Sequence, residues 1–383
     1  MTHRDPLHCI LPPYMLRSMY TNTSGERQAR ALASIVGTAR LRGHREASLA
    51  GTTLSLAAEP EGGKYRRVYT ADNGSSLPGD LVLEEGQPLS TDVAVNEAYE
   101  GAGATYDLFW EIYQRNSLDG NGMRLDSTVH YQQSYDNAFW DGRQMVYGDG
   151  DGELFNRFTA ALDVIGHELA HGVTQYTSNL NYSGQSGALN ESYSDVFGSL
   201  VKQRRMGQTA ADADWLVGQG LFTSRVQGTA LRSMKEPGTA YYDPILGKDP
   251  QPAHMRDYVS TLEDNGGVHI NSGIPNHAFF LAAVALGGYA WEKAGRIWYI
   301  AARDRLPSNT TFQSAADLTF AVAGALYGEG SAEQEAVEYG WQGVGITIGA
   351  SATSQPSPAG CLAAPVAAVR RLAARAMGRL STA

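Results

Sequence analysis

The stretch that most constrains this chain is Asp163 to His171, which contains the pattern His-Glu-x-x-His. If the stretch is helical, residues four apart lie on one face, so His167 and His171 can direct imidazole nitrogens at one metal ion. Glu168 lies about 100° further round the helix, beside the ion rather than on it. This geometry suits a zinc hydrolase, in which two histidines hold the metal and a carboxylate takes a proton from bound water.

The flanking sequence supports a helix, because its apolar residues recur at intervals of three and four. The stripe consists of Phe158, Leu162, Ile165, Leu169, Val173 and Tyr176. Both histidines lie off this stripe. The short pattern alone also allows an ordinary surface helix that carries two incidental histidines.

A second predicted helix, roughly Leu189 to Arg204, supplies further candidate ligands. Glu191 and Asp195 are four apart and share a face. A catalytic zinc needs a third protein ligand and an open position for water, and Glu191 fits that ligand. Asp195 and Asn190 are then candidates to orient the two imidazoles. The alternative is a pair of carboxylates on a solvated helix face.

The succession of motifs resembles the thermolysin family of neutral metallopeptidases, from about Tyr69 to about Ile346. Besides the two helices, the resemblance rests on Asn137-Ala138-Phe139-Trp140, on Gln144 to Gly152 and on Asp264 to Gly273. It implies an α+β, two-lobed zincin fold, with a β-rich amino-terminal lobe, a mostly helical carboxy-terminal lobe and the active-site cleft between them. It also implies one catalytic zinc ion and hydrolysis of internal bonds in peptides and proteins.

The resemblance assigns catalytic roles beyond the zinc ligands. Glu168 would act as general base, taking a proton from water and passing it to the leaving amine. Tyr182 and His269 would donate hydrogen bonds to the developing oxyanion. Asp264 would orient His269 and favour its charged form, which is the better donor.

The resemblance also assigns the substrate-binding groups. Asn137 and the backbone of Ala138 would align an extended peptide along a sheet edge. Arg232 would bind a substrate carbonyl. The pocket for the residue after the scissile bond would be lined by Phe155, Phe158, Val164 and Leu231. These side chains are bulky and apolar, so we expect cleavage on the amino side of Leu, Ile, Phe or Val.

The chain divides into four predicted parts: 1–55, a short helical propeptide with its linker; 56–161, the β-rich lobe; 162–346, the helical lobe; and 347–383, a low-complexity linker with an Ala/Arg-rich tail. The segment Cys9 to Leu16 is similar to the short propeptide of protealysin-like enzymes. The resemblance implies a precursor held inactive by its own propeptide. We predict self-cleavage before Leu49, Leu54 or Leu56, in an exposed linker. The alternative is a permanent helical cap.

Cys9 suggests two interpretations. A thiolate could take the open zinc position and block water. A small buried hydrophobic residue is the more usual role of a cysteine outside disulfides.

Composition narrows the partners and the compartment. The net charge of −10 argues against nucleic acid as the main partner. Two distant cysteines provide no disulfide framework, and no apolar run is long enough for a signal peptide or a membrane span. We therefore expect a monomer made in the cytoplasm, with secretion by a signal-independent route left open. A protein inhibitor is a further candidate partner.

A calcium pair beside the zinc helices is common in the family, but the corresponding positions differ here. Asp163 and Asp214 match two of the carboxylates, whereas Lys202, Leu216 and Gln219 take the others. Because an ammonium group repels calcium, we predict that this site is lost and that Lys202 contacts Asp163. Whether calcium binds at another site in the chain is left open.

Two other function classes compete with a peptidase. One is a catalytically silent peptide-binding protein, against which the complete set of candidate catalytic residues argues. The other is a structural zinc protein. Structural zinc sites have four protein ligands, often cysteines, and the two cysteines of this chain are far apart in sequence.

Overall fold

The computed structural model describes residues 8–48 and 63–350 of the chain. The predicted cleavage positions at Leu49, Leu54 and Leu56, and the tail from residue 351 onward, lie outside these residues. Among the helices described, none has the length and apolar character needed to cross a membrane.

The amino-terminal lobe is built on a mixed β-sheet. Its strands are β1 (His8–Cys9), β2 (Arg66–Thr70), β3 (Asp80–Glu84), β4 (Leu125–Val129), β5 (Ala138–Trp140) and β6 (Met145–Tyr147). The strand order is β1-β5-β6-β4-β2-β3. Strands β2, β4 and β6 run parallel, whereas β3 and β5 are antiparallel to their neighbours. Strand β1 covers the edge that β5 would otherwise present.

Short β-ribbons and helices complete the fold. The ribbons pair β7 (Leu216–Val217) with β8 (Arg232–Ser233) and β9 (Tyr242–Asp243) with β10 (Gly247–Lys248). The helices are α1 (Pro13–Asn22), α2 (Gly25–Ser48), α3 (Val93–Asp107), α4 (Leu162–Gln175), α5 (Gly184–Met206), α6 (Asp264–Asn271), α7 (Gly273–Leu286), α8 (Ala294–Asp304), α9 (Phe312–Tyr327) and α10 (Ala332–Gly343). The expected α+β architecture, β-rich first and helical afterwards, is confirmed.

The histidine-bearing helix α4 is buried on all sides, so the interpretation of a surface helix is wrong. Residues 163–174 are all buried, because α3 and β5 cover one side and α5 the other. The predicted stripe is also too long. Phe158 lies in a 3₁₀ turn before the helix, and Tyr176 just after it is 43% exposed.

Two glycines let α4 and α5 approach backbone to backbone. A Cβ atom on Gly198 would lie 2.3 Å from the Asp163 carbonyl oxygen. A Cβ on Gly166 would lie 3.0 Å from the Gly198 Cα. Larger residues would push the helices apart, so this contact brings the carboxylates of α5 within reach of the histidines of α4.

The segment around His269 combines a tight turn with a short helix. It forms the short helix α6, but Asn265, Gly266 and Gly267 at its start have left-handed backbone angles. Glycine adopts such angles at little cost, which permits the tight turn that leads into the helical residues around His269.

The amino-terminal segment is docked on the rest of the molecule. Helices α1 and α2 pack together, and α1 buries Met15, Leu16 and Met19. On α2, Arg27 and Arg30 form ion pairs with Glu153, which follows β6. This segment therefore adds both a strand and a helical pair to the fold.

A histidine bridge ties α3 to the loop after β6 and predicts a pH effect on stability. Imidazole nitrogens of His130 lie 2.8 Å from Asp149 and 2.8 Å from Asp92, and these carboxylates raise the His130 pKa to about 9. A raised folded pKa contributes stability that is complete below pH 6.5 and is lost as the pH rises through about 9. Because solvent reaches this bridge, we expect His130→Asn to cost about 1 kcal/mol at pH 6. Asparagine tolerates the positive φ of this position.

Urea unfolding of both proteins between pH 6 and pH 9.5 would measure the difference in unfolding free energy. We expect that difference to shrink as the pH rises. A difference that is constant over this range would contradict the bridge as a charged interaction.

Candidate active site

Helices α4 and α5 bring three donor side chains to one point. The Nε2 atoms of His167 and His171 lie 3.1 Å apart, and each lies 3.5 Å from a carboxylate oxygen of Glu191. All three side chains are buried. Among the described residues, these are the ones whose donor atoms converge closely enough to hold a metal ion.

The chemistry of this donor set fits zinc. The Nδ1 atoms of His167 and His171 each face an oxygen acceptor at 2.8 Å, on Asp195 and Asn190 respectively, so the hydrogen of a neutral imidazole belongs on Nδ1. The Nε2 lone pairs then face one another. The Glu191 Oε2 atom is buried without a hydrogen-bond partner. Two imidazoles and one carboxylate match the protein ligands of a catalytic zinc site.

Asp195 connects the metal-ligand cluster to Arg232, which is predicted to bind substrate. Its carboxylate accepts hydrogen bonds from Arg232, at 2.8 Å to Nη2, and from Asn276 Nδ2, also at 2.8 Å. Burial opposes its ionisation, but the Arg232 guanidinium and His167 hold the pKa of Asp195 well below its usual range. Asp195 therefore carries a charge in a fully buried position.

Glu168 lies beside the metal site without joining it. Its Oε2 accepts a 3.0 Å hydrogen bond from the Trp140 backbone N–H on β5. Its Oε1 is buried and makes no hydrogen bond. Burial, assisted by the charge of Glu191, raises the pKa of Glu168 well above its usual value. A carboxylate with one oxygen held and the other unengaged is suited to exchange a proton.

Tyr182 and His269 lie together beside Glu191. The Tyr182 hydroxyl hydrogen-bonds Glu191 and lies 3.2 Å from His269 Nε2. Asp264 lies 2.6 Å from His269 Nδ1. Burial lowers the pKa of His269, but the Asp264 carboxylate outweighs burial and raises it to about 8. Both side chains can therefore act as donors near neutral pH.

The predicted substrate-aligning groups lie along one groove, and residues 8–11 are seated in it. Strand β1 pairs antiparallel with β5, with Cys9 opposite Phe139. Asn137 Oδ1 accepts from the Leu11 N–H at 3.0 Å. Arg232 Nη1 donates to the Ile10 carbonyl oxygen at 3.2 Å. The segment therefore continues the pairing with β5 through Ile10 and occupies the groups predicted to align a substrate.

The four predicted pocket residues lie within the main hydrophobic core. Phe155, Phe158, Val164 and Leu231 are all buried, and so is Ile10. The rings of Phe155 and Phe158 pack with centroids 5.7 Å apart.

Cys9 lies on the sheet side of the cleft rather than with the metal ligands. Its side chain is buried in a cluster with Tyr131, Tyr135, Phe139 and Val146. Its thiol is not among the converging donors at the metal site. This position favours the packing role over the role of a fourth zinc ligand.

The predicted contact of Lys202 with Asp163 is present at the position where we predict loss of a calcium site. Lys202 Nζ lies 2.9 Å from Asp163, 3.0 Å from Asp214 and 2.8 Å from the Leu216 carbonyl oxygen. Burial lowers the pKa of Lys202, but the two carboxylates outweigh burial and raise it. The ammonium group therefore stays charged between the carboxylates.

Several supporting residues were not predicted. The Ser194 hydroxyl lies 3.0 Å from His171 Nδ1, and Gln251 donates to the His269 carbonyl at 2.8 Å. Ser194 could have been found, because it lies three residues after Glu191 on the same helix. Asn276 and Gln251 are far away in sequence and belong to no recognisable motif.

Comparison with known proteins agrees with this geometry. The family description "Thermolysin metallopeptidase, catalytic domain" matches residues 47–175, and "Thermolysin metallopeptidase, alpha-helical domain" matches residues 178–346. An extracellular metalloprotease of Pectobacterium carotovorum subsp. carotovorum is 50% identical over 345 residues, which cover 90% of this chain and 97% of that protein.

More distant and structural similarities point the same way. Thermolysin of Alicyclobacillus acidocaldarius subsp. acidocaldarius is 38% identical over 288 residues, covering 73% of this chain and 50% of its own length. Among solved structures, the precursor of protealysin, a metalloproteinase from Serratia proteamaculans, matches with a TM-score of 0.82 and 50% identity. That match covers 89% of this chain and 100% of the solved chain.

Proposed function

Because the chain belongs to the thermolysin family of metallopeptidases and is a zinc metalloendopeptidase, we propose that it cleaves peptides on the amino side of bulky apolar residues. We also propose that it is made as a precursor whose residues 1–55 are a propeptide. The observation that carries this proposal is that residues 9–11 make hydrogen bonds with Ala138, Asn137 and Arg232, and that the Cys9 carbonyl oxygen lies 3.2 Å from His269 Nε2.

The proposed mechanism assigns a role to each side chain of the cleft. His167, His171 and Glu191 would hold the zinc ion, which supplies a Lewis acid and lowers the pKa of bound water to about 7. Glu168 takes the proton of the attacking water and delivers it to the leaving nitrogen.

Two further sets of residues act on the substrate: one on the carbonyl that is attacked and one on the backbone. Tyr182 and His269 donate hydrogen bonds to the oxygen on which negative charge develops. Asn137, the Ala138 backbone and Arg232 hold the substrate extended along β5, which keeps the reacting bond in place. Asp264 holds the His269 imidazole in orientation, and Asp195 holds the Arg232 guanidinium.

The amino-terminal segment is proposed to inhibit the precursor by covering the cleft. It takes up hydrogen bonds of Asn137, Ala138 and Arg232 that a substrate would need. Its release would follow cleavage in the linker before Leu49, Leu54 or Leu56. The four-part division of the chain and its synthesis in the cytoplasm remain predictions.

Cleavage-site profiling tests the proposed specificity. Digestion of a proteome-derived peptide library should give products that begin mainly with Leu, Ile, Phe or Val. Because Phe158 fills part of the pocket, Phe158→Leu should increase the preference for Phe over Val after the scissile bond by about 10-fold. Dominance of Arg or Glu at that position would contradict the proposal. Peptide binding without hydrolysis would favour the silent peptide-binding protein.

The contact of Lys202 with Asp163 predicts that calcium does not bind there. We expect the unfolding free energy of the wild type to change by less than about 0.5 kcal/mol between excess calcium and a calcium chelator, because the Lys202 ammonium already lies between Asp163 and Asp214 and repels the ion. Lys202→Glu should make the stability depend on calcium. The unfolding free energy of this variant should rise by about 2–3 kcal/mol when the calcium concentration is 100 times the Kd.

Chemical denaturation with and without calcium measures both values, and Lys248→Glu, at an exposed position, is the matched control. Calcium-dependent stability in the wild type that Lys202→Glu leaves unchanged would point to a calcium site elsewhere. Direct calcium binding beside Asp163 would refute the prediction.

A further inference from the structure

Residues 8–11 are positioned as a substrate of the active site and do not merely cover it. We propose that the Cys9–Ile10 peptide bond occupies the scissile position and that the zinc-loaded enzyme hydrolyses it within the same chain. This inference rests on the proposed function, because the same catalytic groups perform the reaction. It adds a second cut in the amino-terminal segment, far from the linker.

The nitrogen side of this bond makes the contacts expected of a leaving group. The Ile10 N–H donates to the Ala138 carbonyl oxygen at 3.2 Å. The same N–H lies near enough to the Glu168 carboxylate to act against the rise in that group's pKa. The residue that is to deliver a proton therefore already faces the nitrogen that must receive it.

The carbonyl side faces the proposed oxyanion donors. The Cys9 carbonyl oxygen lies 3.2 Å from His269 Nε2, and Tyr182 lies beside His269. The next carbonyl, that of Ile10, accepts from Arg232 at 3.2 Å. The next amide, that of Leu11, donates to Asn137 Oδ1. These contacts fall on consecutive peptide groups, so a shift of one residue in either direction would break them together.

The side chains agree with this register. Ile10 follows the bond and is fully buried in the core cluster that contains Phe158, Val164 and Leu231. Isoleucine is one of the bulky apolar residues that this pocket should accept. Cys9 turns to the opposite side of the strand, toward Phe139 and Val146. The register thus places an isoleucine, one of the residues of the predicted specificity, directly after the bond.

The reaction consumes one water molecule. The water oxygen adds to the Cys9 carbonyl carbon, and the bond between that carbon and the Ile10 nitrogen breaks. Glu168 takes one water proton and transfers it to the nitrogen, and the second proton, lost from the new carboxyl group, goes to the released Ile10 amine or to solvent. The products are residues 1–9, which end in a Cys9 carboxylate, and a chain that begins at Ile10.

The experiment follows the intact mass of the full chain over time after zinc is added to metal-free protein. We expect loss of residues 1–9, a mass change that differs clearly from loss of about 50 residues by linker cleavage. The rate should not change over a 10-fold range of protein concentration, because the cut is made within one chain. Glu168→Gln should show no product at any time.

Variants of the pocket residue test the register. Ile10→Gly should slow the cut at least 10-fold, because it removes the buried side chain, whereas Ile10→Val should stay within about 3-fold of wild type. Leu32→Ala, on the exposed face of α2, should leave the rate unchanged. If Ile10→Val keeps the cleavage rate while Ile10→Gly loses it, the loss reflects the missing side chain in the pocket and not general misfolding.

Hydrogen exchange of the metal-free full chain gives a measurement that does not depend on activity. The Ile10 and Leu11 amides should exchange at least 10-fold more slowly than in an unfolded peptide, and Ile10→Gly should remove this protection. Unprotected amides in the wild type would overturn the register.

Hydrolysis of casein in the same samples separates the two proposals. If casein is cleaved over hours while Cys9–Ile10 stays intact, the peptidase assignment stands and this inference fails. If neither is cleaved, both fail. A cut whose rate rises with protein concentration would also overturn the inference, because it would be made by another molecule.

Discussion

Replacing Glu168 with glutamine is expected to lower kcat for peptide hydrolysis by about 10²–10⁴-fold, the usual contribution of a general base. Glutamine has nearly the same size and can still accept the hydrogen bond from the Trp140 N–H, so the local packing is retained. It cannot take a proton from water. Because Glu168 is not among the converging metal donors, zinc binding should not change.

Three measurements on the same preparation decide this prediction: kcat on a peptide, zinc content by mass spectrometry, and the midpoint of thermal unfolding. Zinc content and the midpoint should match wild type while kcat falls. The matched control is Glu335→Gln, on the exposed face of α10, which should leave all three unchanged. A kcat within 10-fold of wild type would show that another group acts as the base.

Asp195→Asn is the substitution with the second large effect, and it should act mainly on stability. We expect a loss of about 3–5 kcal/mol in unfolding free energy, because the change leaves the buried Arg232 guanidinium without its counter-charge. The His167 imidazole also loses its carboxylate acceptor, which should weaken zinc binding by about 10–100-fold. The substitution is nearly isosteric, so the loss would reflect charge rather than volume.

Chemical denaturation of the metal-free chain isolates the stability effect, and a zinc titration against a competing chelator isolates the binding effect. Asp257→Asn, at an exposed position, provides the control and should cost less than about 0.5 kcal/mol. A loss below 1 kcal/mol for Asp195→Asn would mean that water or another group replaces the lost charge.

Much of the local structure could be predicted from spacing. Apolar residues at intervals of three and four predict helices α4 and α5. The observed α4 contains His167 to His171, and the observed α5 contains the predicted stretch Leu189 to Arg204. The spacing of His167 and His171 predicts a shared face because a helix repeats every 3.6 residues. By contrast, the stripe did not predict that α4 is buried all round, because burial depends on the elements that pack against it.

Contacts between distant residues could not be predicted from pattern alone. Asn276 donates to Asp195 across 81 residues of sequence, and Gln251 supports His269 from an irregular segment. Asn276 lies in α7 and Gln251 in an irregular segment, and neither is part of a recognised motif. The register of residues 8–11 against β5 was also invisible, since a two-residue strand carries too little alternation to specify a register.

The sequence by itself determined which groups carry the chemistry, because His-Glu-x-x-His and the later carboxylate motif place ligands and base on helices of known period. The tertiary structure decided how these groups act together. Close packing at Gly166 and Gly198 brings the two helices into reach, Arg232 and Asp195 neutralise each other in the core, and the cleft is filled by the chain's own amino-terminal strand. The physical reason is range: helical periodicity acts over a few residues, whereas burial and charge pairing depend on segments that meet only after folding.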